Sequence, residues 1–430
     1  MNSNNTISKF LIIYTFICII FAGYEAKAQN NLTLNGRIFD KDTKETLPFA
    51  TISIPQSQTG VVSNESGEFQ YHIPENFEKS VVEISYVGYK TIKVNVLEIE
   101  SGKLLTFEME PLVQQLQEVD VTGKISKTEA VDIVNKAINH IRKNYPKEKS
   151  KLNGYYRDYI RPAWSDSCKN LIEAALVIED GGFQTLDFKR TKISLEQLRY
   201  NPSITIDSSL NRTYNGKNKF IPGAGLEASN ELAILRAHDP IRNHSDMTFS
   251  YVDIFDHKFI PNHNFHYESI TEDDSTLIYC IRFDKHTKIA STMSEYWVDG
   301  QIFIRSNSYA ILKFNYTVKC NTPTYTGILF DLKLEYKNYQ DKYYLNYLSL
   351  MNYFVFKNDT VSGISKTAAS VIPYFQYREL FINKVVNESF APIKPHEAIN
   401  KSTSLLANKI PVIEGFWENY NYPSNLKLVE

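Results

Sequence analysis

The sequence lacks the short motifs that are typical of common catalytic and cofactor sites. It has no Gly-x-Ser-x-Gly nucleophile elbow, no phosphate-binding glycine loop and no His-Glu-x-x-His zinc motif. The formal net charge is only −2, and no Cys-x-x-Cys pair occurs. These absences remove support for an α/β-hydrolase, a nucleotide-binding protein and a thioredoxin-type or zinc-finger protein. The near-neutral charge gives no support for a nucleic acid or an anionic membrane as partner.

Cysteine is scarce, with four residues in a chain of 430. One of them, Cys18, lies in the N-terminal apolar run, so three remain: Cys168, Cys280 and Cys320. At most one disulfide could form among three widely spaced residues, and the spacing favours no particular pair. We expect buried or free thiols, which is the common state of such cysteines.

Long apolar runs are also rare, and the longest is Phe10–Gly23, with 14 residues. Lys9 precedes it and Ala26-Lys27-Ala28 follows it, which is the pattern of a secretory signal peptide over residues 1–28. The run is short for a membrane helix, which needs about 20 residues; an uncleaved anchor is the alternative. We therefore expect an exported protein that starts at Gln29 and is periplasmic or associated with the outer membrane.

Aromatic residues, in contrast, are abundant, with 28 Tyr and 25 Phe, and this favours β structure. Seven short runs with alternating apolar residues are separated by turn residues and predict a seven-stranded Greek-key β-sandwich over residues 29–110. The runs are Leu32–Phe39, Phe49–Ile54, Gly60–Ser63, Glu68–Ile73, Val81–Tyr86, Lys90–Val96 and Lys103–Glu110. Within this region, Gly67 closes a turn and is predicted to have a positive φ.

Four segments of the sandwich resemble the carboxypeptidase regulatory-like domain, a transthyretin-like sandwich. They are Asn35–Asp40, Glu45–Ala50, Ser63–Phe69 and Ile84–Tyr89, in the order of that family. The resemblance implies a folding and docking module of the Gram-negative envelope rather than a catalyst. Residues 111–125 are predicted to be a linker, and Glu118–Gly123 within it resembles the segment that follows this module in TonB-dependent receptors.

Residues 126–430 are predicted to form an α+β domain with a curved antiparallel sheet packed on one or two helices. A helix is expected from Ser126 to Pro146 and another over Ser229–Ala237. The expected strands are Leu152–Ile160, Leu171–Glu179, Phe265–Ile270, Leu277–Phe283, Glu295–Trp297, Gln301–Ile304, Ala310–Val318, Leu329–Tyr336, Tyr343–Phe356 and Ala368–Tyr377. Asp299-Gly300 is predicted to be a hairpin turn. The segments Tyr296–Ile304 and Tyr309–Lys313 resemble strands of half-barrel proteins of the outer-membrane lipoprotein-carrier type. Asn153–Asp158 and Gly415–Asn421 resemble uncharacterised envelope proteins.

Two groups of residues could carry metal chemistry. His72 and Glu75 form the only His-x-x-Glu pair, but a proline separates them and an accidental match is more probable than a site. The cluster Asp253, Asp256, His257, His263 and His266 has suitable ligand types in a turn-rich loop, yet a polar loop between strands is the favoured interpretation, because spacing without convergent geometry is weak evidence for a metal site. The loop Pro222–Gly225 is interpreted as a plain turn.

The sequence therefore assigns no catalytic, cofactor-binding or metal-binding residue and predicts no cofactor. We expect a non-catalytic envelope protein with a binding or assembly role, whose partner is an envelope or outer-membrane protein. Two alternatives stay open: a periplasmic carrier of an apolar ligand held on the concave sheet, and a metal-dependent hydrolase that uses the loop His257–His266.

Overall fold

The computed structural model describes residues 32–57, 59–112, 127–163, 168–185, 190–200, 230–244, 255, 259–273, 276–357 and 371–423. The N-terminal region with the expected signal peptide, the expected linker beyond Leu112 and the loop Pro222–Gly225 lie outside these residues. From Thr33 onward the chain forms one compact unit.

The first part of the unit has the seven strands that the sequence predicts. They are β1 (Thr33–Asp40), β2 (Thr51–Ile54), β3 (Thr59–Val62), β4 (Glu68–His72), β5 (Val81–Ser85), β6 (Ile92–Asn95) and β7 (Leu104–Met109). One layer is the three-stranded sheet β4-β1-β7, in which β1 runs parallel to β7 and antiparallel to β4. The other layer has the order β3-β2-β5-β6.

The second part is a large curved antiparallel sheet. Its strands are β8 (Ser150–Pro162), β9 (Lys169–Asp180), β10 (Lys192–Tyr200), β11 (Asn264–Asp273), β12 (Thr276–Ile289), β13 (Ser294–Arg305), β14 (Ile311–Asn321), β15 (Thr326–Tyr339), β16 (Lys342–Lys357) and β17 (Val371–Val386). Strands β11 to β17 pair in chain order, and β8, β9 and β10 extend the sheet beyond β17. This arrangement confirms the predicted fold class, a sandwich followed by a curved antiparallel sheet with helices.

Helices pack on one face of this sheet, which we call the inner face and which carries Phe314 and Leu332. The helices are α1 (Lys127–Asn144), α2 (Glu231–Ala237) and the single turn α3 (Phe259–Asn262). The buried stripe of α1 is Ala130, Val134, Ala137 and Ile141, at the spacing expected for a helix laid on a sheet. Both predicted helices are thus confirmed.

One predicted turn is wrong. Asp299-Gly300 does not join two short strands but lies in the middle of the single strand β13. Gly300 pairs with Phe283 on one side and with Tyr316 on the other, and the two rings approach to 5.7 Å between centroids. A Cβ on Gly300 would lie 2.0 Å from the ring of Phe283. The glycine therefore makes room for aromatic packing across the sheet rather than for a turn.

A second difference is β10, which the sequence analysis did not predict. The hairpin between β15 and β16, in contrast, lies in the polar run Asn338–Lys342, whose composition is typical of a turn. Gln340 and Asp341 at its tip have φ values of 47° and 63°, as a two-residue hairpin of type I′ requires.

The sandwich packs on the large curved sheet, which we call the half-barrel. Strand β17 pairs with β16 as far as Phe381, and at Lys384 its partner is Thr59 of β3. The sandwich layer β3-β2-β5-β6 is therefore hydrogen-bonded to the large sheet and lies over its outer face, which is the face opposite the helices. Phe49 stacks there on Tyr347 with 4.4 Å between ring centroids.

Candidate functional site

The candidate site is a cavity of about 120 Å³ at the junction of the sandwich and the half-barrel. Strands β2 and β3 form one wall, and the hairpin of β15 and β16 together with the end of β17 forms the other. We call it the junction cavity. Its volume is well above the roughly 10–15 Å³ that one water molecule needs and below the roughly 300–1,000 Å³ of drug-sized ligand sites. It therefore has the size for a ligand of a few heavy atoms.

A buried polar network lies beside this cavity and joins the two parts of the chain. The hydroxyl of Thr51 donates to Oε1 of Glu335 at 3.3 Å, and the amide of Asn346 donates to Thr51 Oγ1 at 2.9 Å. All three side chains are buried. Because buried polar groups are costly unless they are hydrogen-bonded, this network ties β2 to β15 and β16.

Asn346 reaches the network through an irregularity in the sheet. The register of β15 and β16 passes from Glu335↔Tyr347 to Tyr336↔Leu345, so Asn346 is the extra residue of a β-bulge. A bulge turns a side chain away from the ordinary alternation of the strand. Here it brings an amide to the outer face, beside the carboxylate of Glu335.

Lys337 is the charged side chain of the cavity wall that lies nearest to this network. It follows Glu335 by two residues on β15 and thus lies on the same outer face. Its ammonium donates to Oγ of Ser53 at 2.6 Å. Burial lowers the pKa of Lys337 below its ordinary value, and the nearby carboxylates of Glu335 and Glu83 offset only part of this effect. Burial also raises the pKa of Glu335, which Lys313 and Lys337 partly oppose.

The chemical capacity of the cavity follows from these groups. Lys337 has three N–H donors, and its hydrogen-bond partner is the neutral hydroxyl of Ser53. A second lysine, Lys384, lines the cavity at an exposed position, and none of the described residues that line the cavity is acidic. The site can therefore bind a negatively charged group next to an apolar wall.

A second group of charges is packed on the inner face. Asp180 accepts from Arg236 at 2.7 Å and from Arg242 at 3.1 Å, and Asp239 accepts from the hydroxyl of Tyr336 at 2.5 Å. Burial alone would raise the pKa of Asp180, but the guanidinium groups of Arg242 and Arg236 lower it to about 2. The adjoining cavity has a volume of only about 20 Å³. This cluster fixes the helix α2 region to β9 and β15, and leaves little space for a ligand.

Two histidines of the candidate metal cluster, His263 and His266, have different surroundings. His263 is buried, stacks on Phe259 and lies 3.4 Å from the hydroxyl of Tyr316 through its Nε2. His266 is exposed and pairs with Asp284 at 2.7 Å. The other three members, Asp253, Asp256 and His257, lie outside the described residues. Within the described ranges, no three His, Cys, Asp or Glu side chains are grouped as metal ligands.

The other residues discussed in the sequence analysis have ordinary surroundings. His72 contacts the hydroxyl of Thr33 at 3.0 Å through Nδ1. Cys168, Cys280 and Cys320 are free thiols. Burial and the neighbouring Glu268 raise the pKa of Cys280, so this thiol has little thiolate character.

The sequence analysis did not identify the junction cavity. Lys337 and Lys384 are two of many lysines in the sequence, and their strands have a pattern that is typical of a solvent-exposed outer face. Nothing in their spacing shows that the sandwich covers this face. A bulge at Asn346 also leaves no sequence signal. The sequence does not show that the sandwich packs on the half-barrel, and the cavity exists only because of this long-range contact.

The sandwich region matches a known family. Residues 34–121 match the model of the CarboxypepD_reg-like domain. The predicted resemblance is thus confirmed for this part of the chain. The match says nothing about residues beyond 121.

Three solved structures are similar to the chain at low identity. One is described as an outer membrane lipoprotein-sorting protein domain from Vibrio parahaemolyticus, with 11% identity and a TM-score of 0.27, covering 62% of this chain and 95% of that one. A DUF1329 family protein from Desulfovibrio piger has 8% identity and a TM-score of 0.25, covering 61% and 95%. A membrane-associated protein of unknown function from Bacteroides fragilis has 10% identity and a TM-score of 0.14, covering 82% and 95%. TM-scores in this range support no functional assignment.

No curated protein matches the chain. Among the described residues, none of the helices combines the length and the hydropathy that crossing a bilayer requires.

Proposed function

We propose that this chain is a non-catalytic protein of the bacterial envelope, with a binding or assembly role in which the sandwich docks a partner protein. The observation that carries the proposal is that one part of the sandwich packs on the half-barrel and another part stays exposed. One of its layers is fixed to the half-barrel through β3, Thr51 and the Phe49–Tyr347 stack. The family match at residues 34–121 and the signal-peptide pattern support an exported docking module.

The part of the sandwich that remains open has exposed aliphatic side chains. Leu97 and Leu104 are 68% and 67% exposed, and Val81 is 40% exposed. They lie at the same end of the sandwich, because Val81 opens β5 opposite the last residue of β6, Leu97 follows β6 by two residues, and Leu104 opens β7 after the next turn. Grouped exposed aliphatic residues are typical of interaction sites. We call this surface the sandwich end.

Site-specific photo-crosslinking in intact envelopes tests the proposal. A photoreactive residue at position 97 or 104 should give a cross-linked species of discrete mass, and the same residue at Val412 should not. Val412 is the matched control because it is 85% exposed and does not belong to the sandwich. The cross-link should be lost when Val81→Glu places a charge in the sandwich end.

Equal cross-linking at positions 97, 104 and 412, or no protein cross-link at any of them, would contradict a docking role. Two further outcomes would favour the alternatives. A lipid that stays bound on purification and is detected by mass spectrometry would support the carrier. Stoichiometric zinc by elemental analysis would support the hydrolase.

A further inference from the structure

We propose that the junction cavity binds a small carboxylate with a short aliphatic chain, and that the ammonium of Lys337 is its counter-ion. The inference does not depend on the proposed docking role, because none of the residues that line the junction cavity belongs to the sandwich end. It rests on the pairing state of Lys337, on the composition of the cavity wall and on its size.

Lys337 is half-buried, and its pairing state leaves donors of its ammonium available. Ser53 is the hydrogen-bond partner of Lys337, and among the described residues no carboxylate lies within 4.0 Å of its ammonium. Glu335, the acidic residue nearest in sequence on the same face, accepts from Thr51 and Asn346 instead. A half-buried ammonium whose direct hydrogen-bond partner is a neutral hydroxyl is an arrangement that an anion can complete. A carboxylate in the cavity would complete it with charge-assisted hydrogen bonds.

The wall of the cavity selects the kind of anion. Its aliphatic part consists of Ile54, Pro55, Val61, Leu345, Ile382 and Val385. Its cationic groups are Lys337 and, at an exposed position, Lys384. A monoanion with a few carbon atoms fits both properties, since the chain covers the aliphatic side and the carboxylate meets the lysine. Inorganic phosphate has no apolar part and would leave the aliphatic side of the wall uncovered.

Calorimetric titration of the full exported chain with sodium butyrate tests this inference. We expect one butyrate to bind per chain, acetate to bind more weakly, and the neutral isostere butyramide to bind at least about tenfold more weakly than butyrate. Lys337→Met keeps the length and apolar stem of the side chain and should weaken butyrate binding about tenfold or more. Lys333→Met is the matched control, because Lys333 lies on the same strand and pairs with Asp331 at 3.2 Å; it should leave butyrate binding unchanged.

A second variant keeps the inference testable if Lys337→Met does not fold. Val385→Trp fills the cavity while keeping both lysines in the chain, and should abolish butyrate binding while the unfolding midpoint stays close to that of the parent. The inference is overturned if butyramide binds as well as butyrate, if phosphate binds as tightly as butyrate, or if no butyrate binding occurs up to about 10 mM. It is also overturned if Val385→Trp still binds butyrate with the parental affinity.

Discussion

Arg157 of β8 and Glu379 of β17 stand directly opposite each other and form an ion pair that is almost fully buried. The neighbouring register position holds Asp158 and Arg378, 3.0 Å apart, with the charges exchanged between the strands. Because consecutive residues of a strand point to opposite faces, the two ion pairs lie on the two faces of one strand pair. A slip of one residue would place Arg157 opposite Arg378, or Asp158 opposite Glu379. The pairing therefore specifies the register by repulsion as well as by attraction.

Removing one member of the Arg157–Glu379 ion pair should lower the stability of the protein. Glu379→Leu leaves the guanidinium of Arg157 buried without its carboxylate, and its Nη2 already has no hydrogen-bond partner. We expect a loss of about 3–5 kcal/mol in the free energy of unfolding, measured by urea denaturation. The double variant Arg157→Met/Glu379→Leu should recover most of this loss, since apolar replacement of a whole buried pair is often tolerated. The exposed Glu388→Leu is the control and should change stability by no more than about 0.5 kcal/mol; an equal effect of both single variants would contradict the argument.

The inner-face cluster predicts a pH-dependent contribution to stability. Arg242 and Arg236 hold the pKa of Asp180 at about 2 in the folded chain, against an ordinary value of 3.8. A lowered carboxylate pKa gives stability that is fully present above the unfolded pKa and is lost as the pH falls through the folded pKa. The difference in unfolding free energy between the parent and Asp180→Asn should therefore be largest above pH 4 and shrink by about 2 kcal/mol towards pH 2.

Urea denaturation at pH 5, 4, 3 and 2 measures this difference. A constant difference for Asp180→Asn over the same range would show that the arginines do not stabilise its charged form.

Gly300 predicts a packing effect at a position where the sequence suggests a turn. In Gly300→Ala the new methyl group would overlap the ring of Phe283, 2.0 Å away, so one of the rings must move. We expect a loss of about 1–3 kcal/mol in the free energy of unfolding, together with a changed near-ultraviolet circular dichroism signal. Lys319→Ala on the exposed side of β14 is the control for inserting a small residue into the sheet. No change in either signal for Gly300→Ala would contradict the close packing.

The sequence predicts those features that depend on local patterns. The seven sandwich strands, helix α1 and the hairpin at Gln340 and Asp341 follow from alternation, helical spacing and turn chemistry. Gly67 also has the predicted positive φ, at 74°. The turn predicted at Asp299-Gly300 is wrong, because a glycine that accommodates a neighbouring ring has the same sequence signal as a hairpin turn. The junction cavity, the bulge at Asn346 and the partners of Arg157 depend on contacts between distant segments, which no local pattern contains.

The last prediction concerns the coupling of the two parts of the chain, and it uses Gly67 as the site of perturbation. A valine at this position would be strained by the positive φ, and its Cβ would lie 2.5 Å from the carbonyl oxygen of Ile38. Gly67→Val should therefore destabilise the sandwich by about 1–3 kcal/mol. Gly102→Val is the matched control, since Gly102 also has a positive φ, 83°, but nothing within 4 Å of the added Cβ; the difference between the two variants measures the clash alone.

Scanning calorimetry of Gly67→Val shows whether this loss stays within the sandwich. The predicted linker suggests separate transitions, of which only the sandwich transition would move. The stack of Phe49 on Tyr347 and the bond of Asn346 to Thr51 suggest the opposite, because a sandwich that unfolds would expose part of the outer face of the half-barrel. We expect one transition that shifts as a whole, and we expect the double variant Thr51→Val/Tyr347→Ala to divide it into two. Two transitions in the parent chain would show that the junction contributes little to stability and that the sandwich and the half-barrel unfold independently.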